Sequence, residues 1–445
     1  MPPALDLPAV RSHFPSLSGA NGARAPIFFD NPGGTQVAQE VLEAVTDYYL
    51  HHNANHGGAF ATSARSDAIL HEAHAALADF LGAASPAEIV FGPNMTTLTF
   101  AVSRAIGRTL APGAEIVVTH LDHDANIAPW LALQERGANV KWVDVHPGDC
   151  TLDRGSFEAA LSERTKVVAV GYASNAVGTI NAVKTLTEMA HAVGARVFID
   201  AVQYAPHGPI DVIDLGCDLL TCSAYKFFGP HVGVLYGKYD LLDRLPAYKV
   251  RPAGNQPPDK FETGTQNHEG IAGTLGVLRY LEWVGGQVTG RQVEGKQVEG
   301  RQVEGKQVEG RQVTGRQEME QQHRRQRLTA AMTAIKEYEQ KLSRALIEGL
   351  SSIAGVKVWG ITDPNRLEWR VPTVSFTWEG KSPRAIAEYL AAHDIYVWDG
   401  NYYALAIMER LDLQKSGGMV RVGAAHYNTL DEVARLIEVL SAMPR

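Results

Sequence analysis

Short unbroken apolar runs alternate along this chain with longer stretches of helical period. Runs at 88–91, 115–119, 140–145, 166–171, 196–200 and 232–236 are four to six residues wide and rich in Val, Ile and Phe, which reads as strands. Ile27-Phe-Phe-Asp30 is a shorter run of the same kind. Between the runs lie helical patterns. Over 36–52, Val37, Val41, Leu42, Val45 and Tyr49 fall on one face, and a second helix is expected over 66–81. Strand and helix in turn predict an α/β fold with a mainly parallel, doubly wound sheet.

After residue 318 the rhythm changes. A long helix running into 330–350 is followed by strand-like 356–359 and 373–378, a helix at 383–393, a strand at 420–422 and a closing helix at 430–443. This predicts a second, smaller α/β domain. Between the halves stand six copies of one pentapeptide, from Gln287-Val-Thr-Gly-Arg291 to the copy ending at Arg316. A period of five matches neither helix nor strand, and one valine in five cannot build a core. The expected organisation is therefore an N-terminal segment (1–26) packing on the small domain, a large domain (27–286), a disordered repeat insertion (287–317) and a small C-terminal domain (318–445).

Composition narrows the function classes. With 45% hydrophobic and 20% charged residues, 445 residues suffice for two substantial cores. A net charge of -8 argues against a nucleic-acid binder. The first ten residues lack the basic and apolar regions of a secretory signal, and no apolar run is long enough to span a membrane. Cys150, Cys217 and Cys222 are too few and too irregular for a disulfide framework or a zinc site. A reduced, cytoplasmic protein is expected.

The chemistry gathers at strand ends. Asp200 closes Arg196-Val-Phe-Ile-Asp200, and Lys226 follows Asp218-Leu-Leu-Thr-Cys-Ser-Ala-Tyr225. In open α/β sheets ligands bind beyond the carboxyl ends of the strands. An amine and a carboxylate brought to that rim match the needs of pyridoxal 5'-phosphate: a Schiff-base lysine, and an acid that keeps the pyridine nitrogen protonated. Phe91-Gly-Pro-Asn-Met-Thr-Thr97 runs from strand into helix near Thr96, where free amides and a hydroxyl suit a phosphate. Ser223 precedes Lys226 by three residues and is placed for the same group. His123, in His120-Leu-Asp-His-Asp124, fits a ring stacked on the cofactor and able to move a proton; the spacing matches no standard zinc motif. Asn175 and Gln203 are amides for the cofactor's phenolic oxygen.

Taken in order, Phe29-Asp-Asn31, Thr96, Asp122-His-Asp-Ala-Asn-Ile-Ala-Pro-Trp130, Ser174-Asn175, Asp200-Ala-Val-Gln203, Ser223-Ala-Tyr-Lys226 and Phe261-Glu-Thr-Gly-Thr-Gln-Asn267 resemble the class V aminotransferase-like group of pyridoxal phosphate enzymes. Within it the chain is most similar to cysteine desulfurases and their relatives, such as cysteine C–S lyases and isopenicillin N epimerase-like proteins. The resemblance runs from about residue 25 to the C-terminus, interrupted by the repeat. It implies fold type I and a homodimer with shared sites. Lys226 matches the Schiff-base lysine, Asp200 the pyridinium partner and His123 the stacking histidine. Asn175 and Gln203 match the phenolate contacts, Thr96 and Ser223 the phosphate ligands, and Met95 and Tyr225 further cofactor-binding positions. Thr265 matches a residue that reaches the neighbouring subunit's phosphate. Arg421, with Asn175, matches the clamp on the substrate carboxylate.

Three departures qualify the likeness. Desulfurases carry a nucleophilic cysteine on a small-domain loop. Here the matching stretch is Val397-Trp-Asp-Gly-Asn-Tyr-Tyr-Ala404, with Tyr403 near the expected position and no cysteine after Cys222. Tyr225 stands where desulfurases commonly have histidine, and Gly57-Gly-Ala-Phe60 replaces an Arg-Gly-x-His stretch. Without a thiolate acceptor, the expected reaction is β-elimination on cysteine or a cysteine derivative, a C–S lyase activity. Sulfur transfer to an unusual acceptor, transamination and epimerisation are the alternatives.

Overall fold

The computed structural model describes residues 5–19, 25–290 and 315–444. Most of the pentapeptide repeat, 291–314, lies outside the described residues. Its first residues instead close the helix His268–Thr289, and its last ones open the helix Gly315–Ser351.

Seven strands form the large sheet, in the spatial order Ile89–Gly92, Gly233–Gly237, Leu219–Ser223, Arg196–Asp200, Thr165–Gly171, Glu115–Thr119, Asn139–Val143. The apolar runs are continuous because this sheet is covered on both faces. Val168, Val170, Val197 and Ile199 enter one core cluster, while Val167, Ala169 and Phe198 enter another on the opposite side. Gly233–Gly237 is antiparallel to both of its neighbours, whereas the five strands from Leu219–Ser223 to Asn139–Val143 pair in parallel. The β-α-β rhythm did not foretell this reversal. Only nine residues join Ser223 to Gly233, too few for the crossover a parallel return requires.

The small domain is a four-stranded antiparallel sheet in the order Val356–Trp359, Thr373–Trp378, Met419–Gly423, Trp398–Gly400. The long helix Gly315–Ser351 and the closing helix Leu430–Ser441 supply Leu346, Leu350, Leu436 and Leu440 to its core. Near the N-terminus, Arg11 pairs with Glu432 at 2.9 Å and donates to the Tyr427 carbonyl at 2.6 Å. Phe14 packs edge-on against Phe228 of the large domain and tilted against Tyr427.

One helix differs from expectation in its face. Of the face expected over 36–52, Val41 is buried and Val37 and Val45 pack on the core, but Leu42 and Tyr49 are 46% and 53% exposed, and Tyr48 is buried where Tyr49 was expected. The α-helix spans only Gln39–Asp47, and a π-helical turn, Tyr48–His52, follows it. Val41, Val45 and Tyr48 keep the i, i+4, i+7 spacing of one helical stripe, and Leu42 and Tyr49 lie one position past it, toward solvent.

Candidate active site

A cleft of about 740 Å³ opens where the large sheet's parallel strands end, with the small-domain turn 398–403 on its other side. Asp200 and Lys226 both line it. Asp200 ends its strand, and one oxygen accepts the Val202 N–H at 2.9 Å. Lys226 lies in the Ala224–Lys226 turn after the next strand, and its amine donates to the Pro32 carbonyl. Burial pushes the Lys226 amine down to about 7; Arg421 adds to the effect and Asp200 opposes it. Burial likewise raises Asp200 to about 6, partly offset by the Val202 N–H and by Lys226. Each group thus feels the other's charge across one cleft.

At one end the helix Met95–Gly107 points its N-terminus into the cleft, capped by Asn94, whose side chain accepts from Thr97 N at 2.9 Å. Met95 N is spent on the Ser223 hydroxyl oxygen at 3.1 Å, which leaves the hydroxyl hydrogen free to donate. Thr96 lines the cleft beside it. Gly233 makes the approach possible: a Cβ there would lie 2.4 Å from the Asn94 backbone.

His123 caps a short turn through Nδ1, which accepts the Ala125 N–H at 2.9 Å. Burial, then Lys226 and Arg421, hold its pKa down at about 4. The ring is therefore neutral at pH 7 and carries its proton on Nε2. The two amides are more committed than their sequence suggested. Asn175 donates to the Tyr402 carbonyl at 2.8 Å, and Gln203 to Thr373 Oγ1 at 3.0 Å. Each –NH₂ retains a second hydrogen. Both therefore tie the cleft to the small domain, a role that spacing along the chain cannot reveal.

Arg421 reaches the cleft from Met419–Gly423 and is buried. Its guanidinium donates to the Asn175 carbonyl at 2.8 Å and lies 4.2 Å from the Tyr402 ring centroid. It has no ion-pair partner among the described residues, and its Nε is buried without a hydrogen bond. Burial lowers its pKa to about 10. A buried cation with unused donors is a receptor for an anion. Tyr225 also lines the cleft, its ring 4.7 Å from the Lys226 nitrogen. Thr265 does not line it and is exposed on the 262–267 segment.

Sequence reasoning overlooked Asp122. This buried carboxyl lines the cleft, accepts from Asn126 Nδ2 at 2.9 Å and from the Thr119 hydroxyl, and is raised to about 7 by burial. An acid inside the Leu121–Pro129 stretch was the available signal, hidden by attention to its neighbour His123.

An amine, a facing carboxylate, a helix N-terminus with hydroxyls and a flat neutral imidazole are the parts that hold pyridoxal 5'-phosphate. The buried, partnerless Asn175 Oδ1 and Arg421 Nε show that the cleft's polar capacity is not used up internally. The fold and site define a pyridoxal-phosphate-dependent enzyme of fold type I.

Comparison with known proteins places it more closely. The model of the family described as aminotransferase class-V matches residues 27–330 and 326–436, and the chain belongs to that family, in its cysteine desulfurase-like branch. It is 32% identical to a probable cysteine desulfurase 1 of Mycobacterium leprae over 98% of this chain, and spans 65% of that relative's length. It is also 32% identical to the aminotransferase-like protein FGM3 of Gibberella zeae, over 97% of this chain and 96% of the relative. The apo structure of a cysteine desulfurase from Thermococcus onnurineus NA1 superposes with a TM-score of 0.81 at 27% identity, covering 99% of this chain and 98% of that one.

Proposed function

We propose that this chain cleaves the bond between Cβ and sulfur in L-cysteine or an S-substituted L-cysteine. Pyridoxal phosphate, when bound, supplies an electron sink for the pair left at Cα after proton removal. The residues do the rest. Arg421 binds the substrate carboxylate in a bidentate grip. Lys226, with a pKa near 7, carries an appreciable unprotonated fraction at neutral pH and removes the α-proton. Asp200 keeps a proton on the ring nitrogen. His123 offers its Nε2–H toward the cleft as a donor for departing sulfur.

The finer reading is elimination: substrate and water give a thiol, pyruvate and ammonium. The observation that carries it is the place of the thiols. Cys150, Cys217 and Cys222 are all buried, and none lines the cleft. A second reading is sulfur transfer, in which cysteine and an external thiol give alanine and a persulfide. The names of the Mycobacterium and Thermococcus proteins favour it. Incubating the cofactor-loaded enzyme with cysteine and S-substituted cysteines, and assaying pyruvate, ammonia, alanine and persulfide together, separates the two. Alanine without pyruvate would sink elimination; no product from any sulfur amino acid would sink both.

The working unit is proposed to be a homodimer in which Thr265 reaches the cofactor phosphate of the other copy. Light scattering on the purified protein tests this, a monomeric mass counting against it. No helix among the described residues is long and apolar enough to cross a membrane, and a cytoplasmic location is proposed.

A further inference from the structure

The turn that closes the cleft presents two aromatic rings that the protein itself does not use. Tyr402 and Tyr403 are consecutive left-handed residues, with φ of 56° and 57°. For bulky side chains such a conformation is unfavourable, so the surroundings must enforce it. They do: the Tyr403 carbonyl accepts from Asp124 N at 2.7 Å, the Tyr402 carbonyl accepts from Asn175, and the Tyr402 hydroxyl donates to the Met419 carbonyl. Tyr402 is then accounted for, because its buried ring underlies Arg421.

Tyr403 is not. The strained turn delivers its ring to the cleft, near parallel to His123 at 24° and 5.7 Å between centroids, yet it is 74% exposed and its hydroxyl has no hydrogen bond among the described residues. Trp398, five residues earlier on the strand that leads into the turn, also lines the cleft and is 50% exposed. Its indole leans over Gly33, where a Cβ would sit 2.2 Å from Nε1. Phe100 and Leu121 add apolar surface to the cleft lining. Two exposed rings at the mouth of a site, one held there at a conformational cost, form an aromatic reception surface.

We propose that this surface receives the substituent on the substrate's sulfur, and that the substituent is aromatic: the natural substrate class is an S-aryl or S-arylmethyl L-cysteine. The inference rests on the elimination reading. The Cα–H and Cβ–S bonds break, the sulfur leaves with a proton as an aromatic thiol, and water converts the remainder to pyruvate and ammonium. No oxidant or further reactant is required.

The test compares S-benzyl-L-cysteine with S-methyl-L-cysteine on the cofactor-loaded enzyme, by pyruvate release and by titration calorimetry with the Lys226→Ala variant. We expect kcat/KM and affinity to favour the benzyl compound, and Tyr403→Ala and Trp398→Ala each to shrink that preference roughly five- to tenfold, the worth of an aromatic contact. Tyr403→Phe should restore it, since the ring and not the hydroxyl makes the contact. Pyruvate formation with no benzyl preference, or a preference that survives both alanine variants, would overturn the proposal and leave elimination standing. Alanine and persulfide as the sole products would overturn both.

Discussion

The cleft has a floor and a rim built on opposite principles. The floor is made of strand ends: Asp200 and Ser223 are 7% and 2% exposed and close neighbouring strands of the large sheet. The rim is the segment 398–403, where Trp398 stands half exposed on an edge strand and Tyr403 stands mostly in the open on strained backbone. Floor residues are fixed by hydrogen-bond ladders and continuous burial, which suits the invariant demands of a cofactor. Rim residues are set by a few contacts from Asn175, Asp124 and Met419, which suits a specificity that changes without disturbing the core.

The largest expected effect is on the floor. Lys226→Ala should lower kcat by about 10⁴-fold, the upper end of what a general base contributes, and abolish the yellow, borohydride-reducible adduct. A variant that still forms the adduct would place the covalent attachment elsewhere. Next comes Asp200→Asn, which replaces a charge-assisted hydrogen bond with a neutral one. A fall in kcat of roughly 10- to 100-fold is expected, with cofactor absorbance altered. An effect under twofold would mean that Asp200 does not face the ring nitrogen.

The same contrast explains what the sequence disclosed. Floor residues follow apolar runs, so Asp200, Lys226, Ser223 and Thr96 were legible as one group, and all four line the cleft. The α/β alternation and three of the small sheet's four strands were legible for the same reason, that burial imposes period; the half-exposed edge strand Trp398–Gly400 was not. The helix face at 36–52 was read too wide: Leu42 and Tyr49 are apolar neighbours of the buried stripe Val41, Val45, Tyr48, and apolar character alone does not place the edge of a face. The rim was only half legible. Tyr402 is buried, whereas Trp398 and Tyr403 stand exposed, and nothing in the spacing of this stretch announces two consecutive left-handed tyrosines. Asn175 and Gln203 were assigned to cofactor and substrate, and their bonds to Tyr402 and Thr373, each more than 150 residues away, leave no local trace.

Arg421 joins floor to rim, and its substitution sharpens the comparison. Arg421→Lys keeps the charge but loses the bidentate grip and the stacking on Tyr402. KM for the amino acid should rise about tenfold, with a smaller change in kcat. An unchanged KM would remove Arg421 from substrate binding.

A subtler effect is the pH dependence of stability in the cofactor-free protein. Lys226 is lowered from 10.5 to about 7, so between those values the unfolded chain binds more protons and stability rises with pH. Asp200 and Asp122 are raised from 3.8 to about 6 and about 7, so over that range the folded chain binds more protons and stability falls as pH rises. These groups together place a stability minimum near pH 7. Lys226→Met should flatten the upper limb and leave the lower one, as read by melting temperature against pH. An upper limb unchanged by the substitution would show that the Lys226 amine is not desolvated.

The smallest expected effect is the one that bears hardest on sulfur transfer. A thiol must ionise and be reached before it can accept sulfur or react with an alkylating agent. Burial raises Cys150 to about 11 and Cys217 to about 12, and lifts Cys222 further, and all three side chains are inaccessible. Treating the native holoenzyme with iodoacetamide at neutral pH should therefore change its activity by less than about twofold, with no cysteine labelled until the protein is denatured. Rapid labelling of one cysteine, with loss of sulfur release in step, would return a persulfide relay within this chain to contention. Were that residue Cys222, a large-sheet strand would have to open to reagent, which would erase the distinction between a fixed floor and an adaptable rim.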